Sequence, residues 1–201
     1  MAVQIYVMRH GETEANVRQV LIGRADSPFT ECGWQQPVEV ARHLVGRDLS
    51  RIYSSPMDRA QRTAALVQET LDRPVPIELE SAIAEIDAGE FTGLSFLEVW
   101  SQLPADAKLG EFHYPGGESW SDVQDRAVEF VYKLEARHGD DEVLLVTHAG
   151  VIAGLVAAYL GEPIEQYIRT RFGHDFLGRI ALEGGTLTGY EKIAGTVDRW
   201  V

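Results

Sequence analysis

Val7-Met8-Arg9-His10-Gly11-Glu12-Thr13-Glu14-Ala15-Asn16 is the stretch from which the fold is read. It closes an apolar run, Val3 to Met8, in which Ile5, Tyr6, Val7 and Met8 have the composition of a buried strand. An arginine and a histidine directly after such a run pack poorly in a core. They suit a site, because open α/β sheets bind ligands beyond the carboxyl ends of their strands. Gly11 lets the backbone turn with no Cβ in the way. The pattern predicts a helix over Thr13 to Arg18, whose free N–H groups point back at the site and favour an anion.

A second stretch has the same build. Val143-Leu144-Leu145-Val146 reads as a buried strand running into Thr147-His148-Ala149-Gly150 and then a helix, Val151 to Leu160. Neighbouring strand ends of this kind place His148 near His10. Between the two, Thr30 caps a helix to about Val45 with Trp34, Val38, Ala41 and Val45 inward, and Pro37 is expected to kink it or shorten its start. Leu21 to Phe29 is a loop of turn residues that include Gly23. Ile52-Tyr53-Ser54 is a short strand, followed by a helix from Met57 to Leu71 whose apolar face is Met57, Ala60, Ala64, Val67 and Leu71. Arg59 stands at that helix's start, where a positive charge is unfavourable by roughly 0.3–1 kcal/mol unless something negative answers it; a bound phosphate would, and the plain alternative is a solvated or acid-paired arginine.

Val75 to Leu79, bounded by Pro74 and Pro76, is an edge strand at best. Glu80, Glu85, Asp87 and Glu90 lie among glycines, and chemistry alone leaves Glu85 and Asp87 open as a proton donor. Ser95 to Leu103 is a short helix, and Pro104 to Glu118 is irregular and has the length of a functional lid. Ser119 caps a helix to about Arg137. Leu177–Leu182 and Thr186–Ile193 form a hairpin through Gly184-Gly185. Asp198-Arg199-Trp200-Val201 carries no assignable pattern. The expectation is one α/β domain over 1–201, with a lid-like insertion at about 95–118.

Composition narrows the function. The net charge of −13 argues against nonspecific binding to nucleic acid or to an anionic membrane, and an anionic substrate would need a local cluster of cations. A single cysteine, Cys32, leaves no disulfide framework and no cysteine-based metal cluster, and fits a reducing cytoplasm. The N-terminus enters a strand with no signal-peptide pattern, and the longest apolar-rich run, Gly150 to Gly161, is too short to span a bilayer. There is no Gly-x-Gly-x-x-Gly, no Walker A lysine and no Gly-x-Ser-x-Gly elbow. His43, His113, His138 and His174 carry no motif; of these, His113 is the one expected to reach a pocket.

Arg9-His10-Gly11-Glu12-Thr13-x-x-Asn16 resembles the first signature of the histidine phosphatase superfamily, which includes cofactor-dependent phosphoglycerate mutases and many phosphomonoesterases. Thr30-Glu31-Cys32-Gly33-Trp34-Gln35-Gln36 is similar to its helix start, with Phe29 in place of the usual leucine and an unusual Pro37 after it. Ser54-Ser55-Pro56-x-x-Arg59-Ala60-x-x-Thr63-Ala64 resembles the second signature, Glu85, Gly89 and Gly93 the acid segment, and Thr147-His148-Ala149 the second histidine in its alanine variant. Pro115-Gly116-Gly117-Glu118-Ser119 resembles a segment common in the phosphatase branch.

The resemblance implies an α/β three-layer sandwich, a mostly parallel central sheet with helices on both faces. It implies that His10 carries the phosphoryl group, that Arg9, Arg59 and His148 grip it, and that Glu85, not Asp87, is the proton donor. It also implies substrate contacts from Asn16, Thr13, Gly23 and Ala149, with Glu12 structural. The reaction would need no metal and no cofactor, its partner would be a small-molecule phosphomonoester, and a homodimer is allowed. The mutase branch carries a longer segment after the acid and an asparagine after its second His-Gly; here His148-Ala149-Gly150-Val151 favours a phosphatase. The alternatives are a phosphoglycerate mutase and a non-catalytic phosphate-binding module.

Overall fold

The computed structural model describes residues 2–199. In chain order its elements are β1 (Ala2–Arg9), α1 (Glu14–Val17), α2 (Glu31–Ala41), β2 (Leu49–Ser54), α3 (Asp58–Thr70), β3 (Ile77–Leu79), α4 (Phe96–Gln102), α5 (Trp120–His138), β4 (Glu142–Thr147), α6 (Ala149–Leu160), β5 (Thr170–Phe172), β6 (Leu177–Glu183), β7 (Thr186–Ala194) and β8 (Val197–Arg199). Six strands form one sheet in the order β3-β2-β4-β1-β6-β7, and β5 pairs with β8 apart from it. β3, β2, β4 and β1 run parallel; the hairpin β6–β7 adds two antiparallel strands beyond β1. This is the expected α/β sandwich with a mostly parallel sheet. β3 is the expected edge, and Asp198 and Arg199 fall in β8, while Trp200 and Val201 lie outside the described residues.

Both central strands are apolar without interruption because both of their faces are covered. Val3, Ile5 and Val7 of β1, with Val143 and Leu145 of β4, pack against Val123, Ala127, Val131, Val151 and Leu155 of α5 and α6. Tyr6, Met8, Leu144 and Val146 point the other way, to Val40, Ala41, Ala60, Ala64 and Val67 of α2 and α3. The period-two alternation of a strand thus divides one apolar run between two cores. The register then pairs Arg9 with Thr147, so both strands end at the same level.

Two expectations are corrected near the end of β1. The helix after Gly11 is one turn only, and its N–H groups do not await an anion. Thr13 and Asn16 form a capping box, Glu14 N–H donates to Pro28 O at 2.9 Å, and Ala15 N–H donates to Ser27 Oγ at 3.0 Å. The inner face of α2 is Gly33, Pro37, Val40 and Ala41, whereas Trp34 is 47% exposed and Val45 also faces solvent. A glycine and a proline give no apolar signal, yet they make the closest contact. A Cβ on Gly33 would stand 2.0 Å from Glu12 O, and one on Gly11 would stand 2.2 Å from Gly33 O and 3.2 Å from the Pro37 ring. Pro37 sits inside the helix; having no N–H, it leaves the Gly33 carbonyl outside the helical ladder and against Gly11.

Candidate active site

His10 extends β1 by one residue, its N–H donating to Thr147 O at 3.0 Å. Its ring centroid lies 5.0 Å from that of His148 and 5.3 Å from that of His174. Nδ1 is 2.8 Å from Gly11 O, which can only accept, so the proton is on Nδ1 and the lone pair on Nε2. Arg59 Nε–H donates to that Nε2 at 3.3 Å, which requires the same tautomer. Burial, then the neighbouring His148, Arg59, His174 and Arg9, holds the imidazole well below its ordinary value of 6.5. At neutral pH it is uncharged, the form in which nitrogen is a nucleophile.

Arg59 is 2% exposed. It donates to Gly23 O at 2.7 Å, Ala25 O at 2.6 Å and Asp26 Oδ1 at 3.2 Å. Asp26 also accepts the N–H groups of Asp58 and Arg59 at the start of α3. The charge is thus answered by an acid of the chain, the plainer of the two readings, while the Arg59 Nε still faces His10. Arg9 donates to Phe172 O at 2.6 Å, while its Nε is buried with no hydrogen-bond partner. Burial pushes its guanidinium down to about 10, opposed first by the Glu85 charge, so it remains a cation.

His148 occupies the N-cap position of α6, and no side chain caps that helix. Its Nε2 is 2.7 Å from Ser55 Oγ, and its Nδ1 is buried without a partner. Burial, then Arg59 and Arg9, holds this imidazole well below 6.5 too.

Glu85 comes from the irregular stretch after β3. Its Oε1 accepts Ile86 N–H at 3.0 Å and lies only 2.5 Å from where a Cβ on Gly150 would stand, so the missing side chain in the first turn of α6 makes room for the carboxylate. The Trp120 ring uses the same gap. Glu85 is also the acid whose charge acts first on both Arg9 and Arg59. Asp87 instead accepts Gly89 N–H at 3.1 Å and faces Arg24 at 3.7 Å. Among the described residues, no group of three or more His, Cys, Asp or Glu side chains is placed to hold a metal ion, and no helix is long and apolar enough to cross a membrane.

The match to known proteins follows the same motifs. Residues 5–188 fit the histidine phosphatase superfamily (branch 1). The chain belongs to the histidine phosphatase superfamily. A glucosyl-3-phosphoglycerate phosphatase of Mycolicibacterium vanbaalenii is 32% identical over 82% of this chain and 77% of its own length. A probable phosphoglycerate mutase, GpmB, of Salmonella choleraesuis is 32% identical over 89% of this chain and 84% of its own. A solved mycobacterial glucosyl-3-phosphoglycerate phosphatase has a TM-score of 0.81 at 26% identity, covering 97% of this chain and 99% of that one. By class the protein is a phosphatase of that superfamily.

In this histidine phosphatase, His10, Arg9, Arg59, His148 and Glu85 come together from four separate segments. Gly23 takes part through its carbonyl, held by Arg59, and Ala149 is the first residue of α6. Thr13 is fully buried and its hydroxyl is bound to Asn16 Oδ1 at 2.8 Å, so of this pair only the Asn16 amide NH2 is left for a ligand. His113 does not reach the site; it is 65% exposed and pairs with Asp122 at 3.0 Å. His174 does reach it, with Nδ1 donating to the His10 carbonyl at 2.7 Å. No motif marks His174: it arrives because β6, just after it, pairs with β1. Ser55 and Asp26 lie in quoted segments, but nothing local assigns them a partner.

Proposed function

We propose that this phosphatase hydrolyses small-molecule phosphomonoesters through a phosphohistidine on His10, with Glu85 as proton donor. One observation carries the reading: two buried nitrogens, Arg9 Nε and His148 Nδ1, stand without a partner around a neutral imidazole. A buried, unpaired donor costs roughly 1–3 kcal/mol. A phosphoryl group, which offers several acceptor oxygens and about two negative charges, relieves both. Ser55 fits this reading: a hydroxyl donating to His148 Nε2, 2.7 Å away, places the proton of the neutral ring on Nδ1, as the donor the phosphoryl group needs.

The chemistry follows from the tautomers. The His10 Nε2 lone pair attacks phosphorus, the ester P–O bond breaks, and Glu85 gives its proton to the leaving oxygen. Arg59 Nε–H turns from Nε2 to a phosphoryl oxygen as the N–P bond forms. The Nδ1–H stays on Gly11 O and steadies the positive ring. Water then attacks phosphorus, the N–P bond breaks with its electrons returning to Nε2, and the Glu85 carboxylate takes the water proton. Arg9, Arg59, His148 and the uncapped N-terminus of α6, beginning at Ala149, hold the phosphoryl oxygens throughout. The Asn16 amide and the Gly23 loop contact the substrate, Thr13 fixes Asn16, and the segment 95–118 closes over the leaving-group side as a lid on a single domain.

The test is a phosphate-release screen over diverse phosphomonoesters, with quenched labelling by a radioactive phosphate ester. Free phosphate, and an acid-labile label that maps to His10 and is absent from His10→Ala, are the expected results. Isomerised phosphoglycerate without phosphate release would point to a mutase, and no label with no turnover to a binding module; either overturns the reading.

A further inference from the structure

We propose that Arg24, Glu118 and Arg126 are positioning residues that aim the Glu85 carboxyl at the leaving group. The inference rests on the reading of Glu85 as proton donor. Glu85 sits in an irregular stretch, where no ladder fixes it. What fixes it is a set of charged side chains from three other segments. Arg126 of α5 donates to Ala82 O at 2.8 Å and to Glu85 O at 3.2 Å. It also forks onto Glu118, Nε to Oε1 at 3.2 Å and an outer nitrogen to Oε2 at 3.1 Å. Glu118 Oε2 in turn accepts Asp87 N–H at 3.0 Å, and Glu118 N–H donates to Asp87 O at 2.9 Å. Arg24 donates to Glu118 Oε1 at 2.8 Å and to Glu85 O at 3.5 Å.

The backbone on both sides of Glu85 is thus held from Ala82 to Asp87. Two glycines allow the approach. A Cβ on Gly117 would stand 2.2 Å from Asp87 O, and one on Gly89 2.1 Å from Pro115 O. Arg24 also lies between Gly23 and Ala25, whose carbonyls hold Arg59. The brace therefore fixes the acid relative to the phosphate grip. A misplacement of about 1 Å at such a site costs up to about 10²-fold in rate. Arg126 and Glu118 are mostly buried, and a bidentate arginine–carboxylate pair holds angle as well as distance.

A proton donor matters only when the leaving group needs a proton, so the test compares two substrates. Butyl phosphate must release an alkoxide, whereas p-nitrophenyl phosphate releases a stabilised phenolate. kcat/KM is read because it excludes the later hydrolysis of the phosphoenzyme. Arg126→Gln is expected to lower kcat/KM for butyl phosphate by about 10–100-fold and for p-nitrophenyl phosphate by less than about threefold. Arg126→Lys should recover only part of the loss, since ammonium cannot fork. Glu118→Gln, of the same shape, should show the same selectivity and carries the test if Arg126→Gln does not fold. Glu85→Gln is run alongside. If it is selective and the brace variants slow both substrates equally, or neither, the brace is wrong while Glu85 stands as donor. If Glu85→Gln itself is unselective, both fall.

Discussion

The two strand ends that meet in the site have the same short build and finish differently. β1 runs into Arg9-His10-Gly11 and β4 into Thr147-His148-Ala149, side by side in the ladder. At the β1 end the histidine itself is matched, although the Nε of the neighbouring Arg9 stays open. Both His10 nitrogens have partners, and α1 is closed by its capping box. At the β4 end groups are left open. His148 has one bare nitrogen, and the twelve-residue α6 starts with no side-chain cap. An uncapped helix start carries roughly half a positive charge, and α1, at one closed turn, offers little of that. On the proposed mechanism, this saturation holds His10, the nucleophile, in one tautomer with one defined lone pair. Open donors are what an anion needs. On that mechanism the difference between the ends is a division of labour that the matching sequences conceal.

Removing each ring separates the two roles. His10→Ala removes the attacking atom and should lower kcat for phosphate release by at least about 10³–10⁴-fold, or about 4–5.5 kcal/mol, with no label retained on the protein. His148→Ala removes one donor to the charge that develops on the phosphoryl oxygens. It should lower kcat/KM by about 10²–10³-fold, or about 2.7–4 kcal/mol, while label still accumulates slowly on His10. A larger loss at His148 than at His10, or label moved to His148, would reverse the assignment of the two ends.

Much of this was legible before any coordinates, for a physical reason. Strand ends, caps and glycine turns are local, so Val3 to Gly11 and Val143 to Gly150 could be read by themselves, and parallel pairing then brought His10 to His148. The unreadable parts depend on distance in sequence. The inner face of α2 is set by Gly33 meeting Glu12 O, a backbone contact that no hydropathy pattern records. Arg59 is answered by Asp26 because a loop folds back over α3, and His174 reaches His10 through the β1–β6 register. His113 looked better placed than His174 because lid loops commonly reach sites; here Asp122, at the start of α5, holds it outside.

One property the two ends share is neutrality, and His174 shares it: burial comes first among the causes that hold all three imidazoles well below 6.5. In the unfolded chain they take up protons as pH falls through 6.5, and in the folded protein they do not. Protons bound preferentially by the unfolded state make stability fall with falling pH. Their contribution is therefore whole above 6.5 and declines below it, by at most about 1.4 kcal/mol per pH unit for each ring. Urea titrations between neutral and mildly acid pH should show a shallower decline for His174→Gln than for the parent, by about one ring's share. An unchanged slope would mean that His174 takes up its proton in the folded protein.

The smallest expected effect tests the asymmetry most directly. Ser55 fixes the β4-end ring only through the 2.7 Å contact with His148 Nε2. Without that hydroxyl the ring is free to place its proton on either nitrogen, and some molecules present a lone pair to the phosphoryl group instead of a donor. Ser55→Ala should therefore lower kcat/KM by about 3–10-fold, in line with a single hydrogen bond of about 0.5–1.5 kcal/mol. In a His148→Ala background the same change should cost almost nothing, because there is no tautomer left to fix. If Ser55→Ala costs as much in that background as in the parent, its hydroxyl acts by packing the turn before α3. The open nitrogen of His148 would then owe nothing to Ser55, and the contrast between the strand ends would rest on helix capping alone.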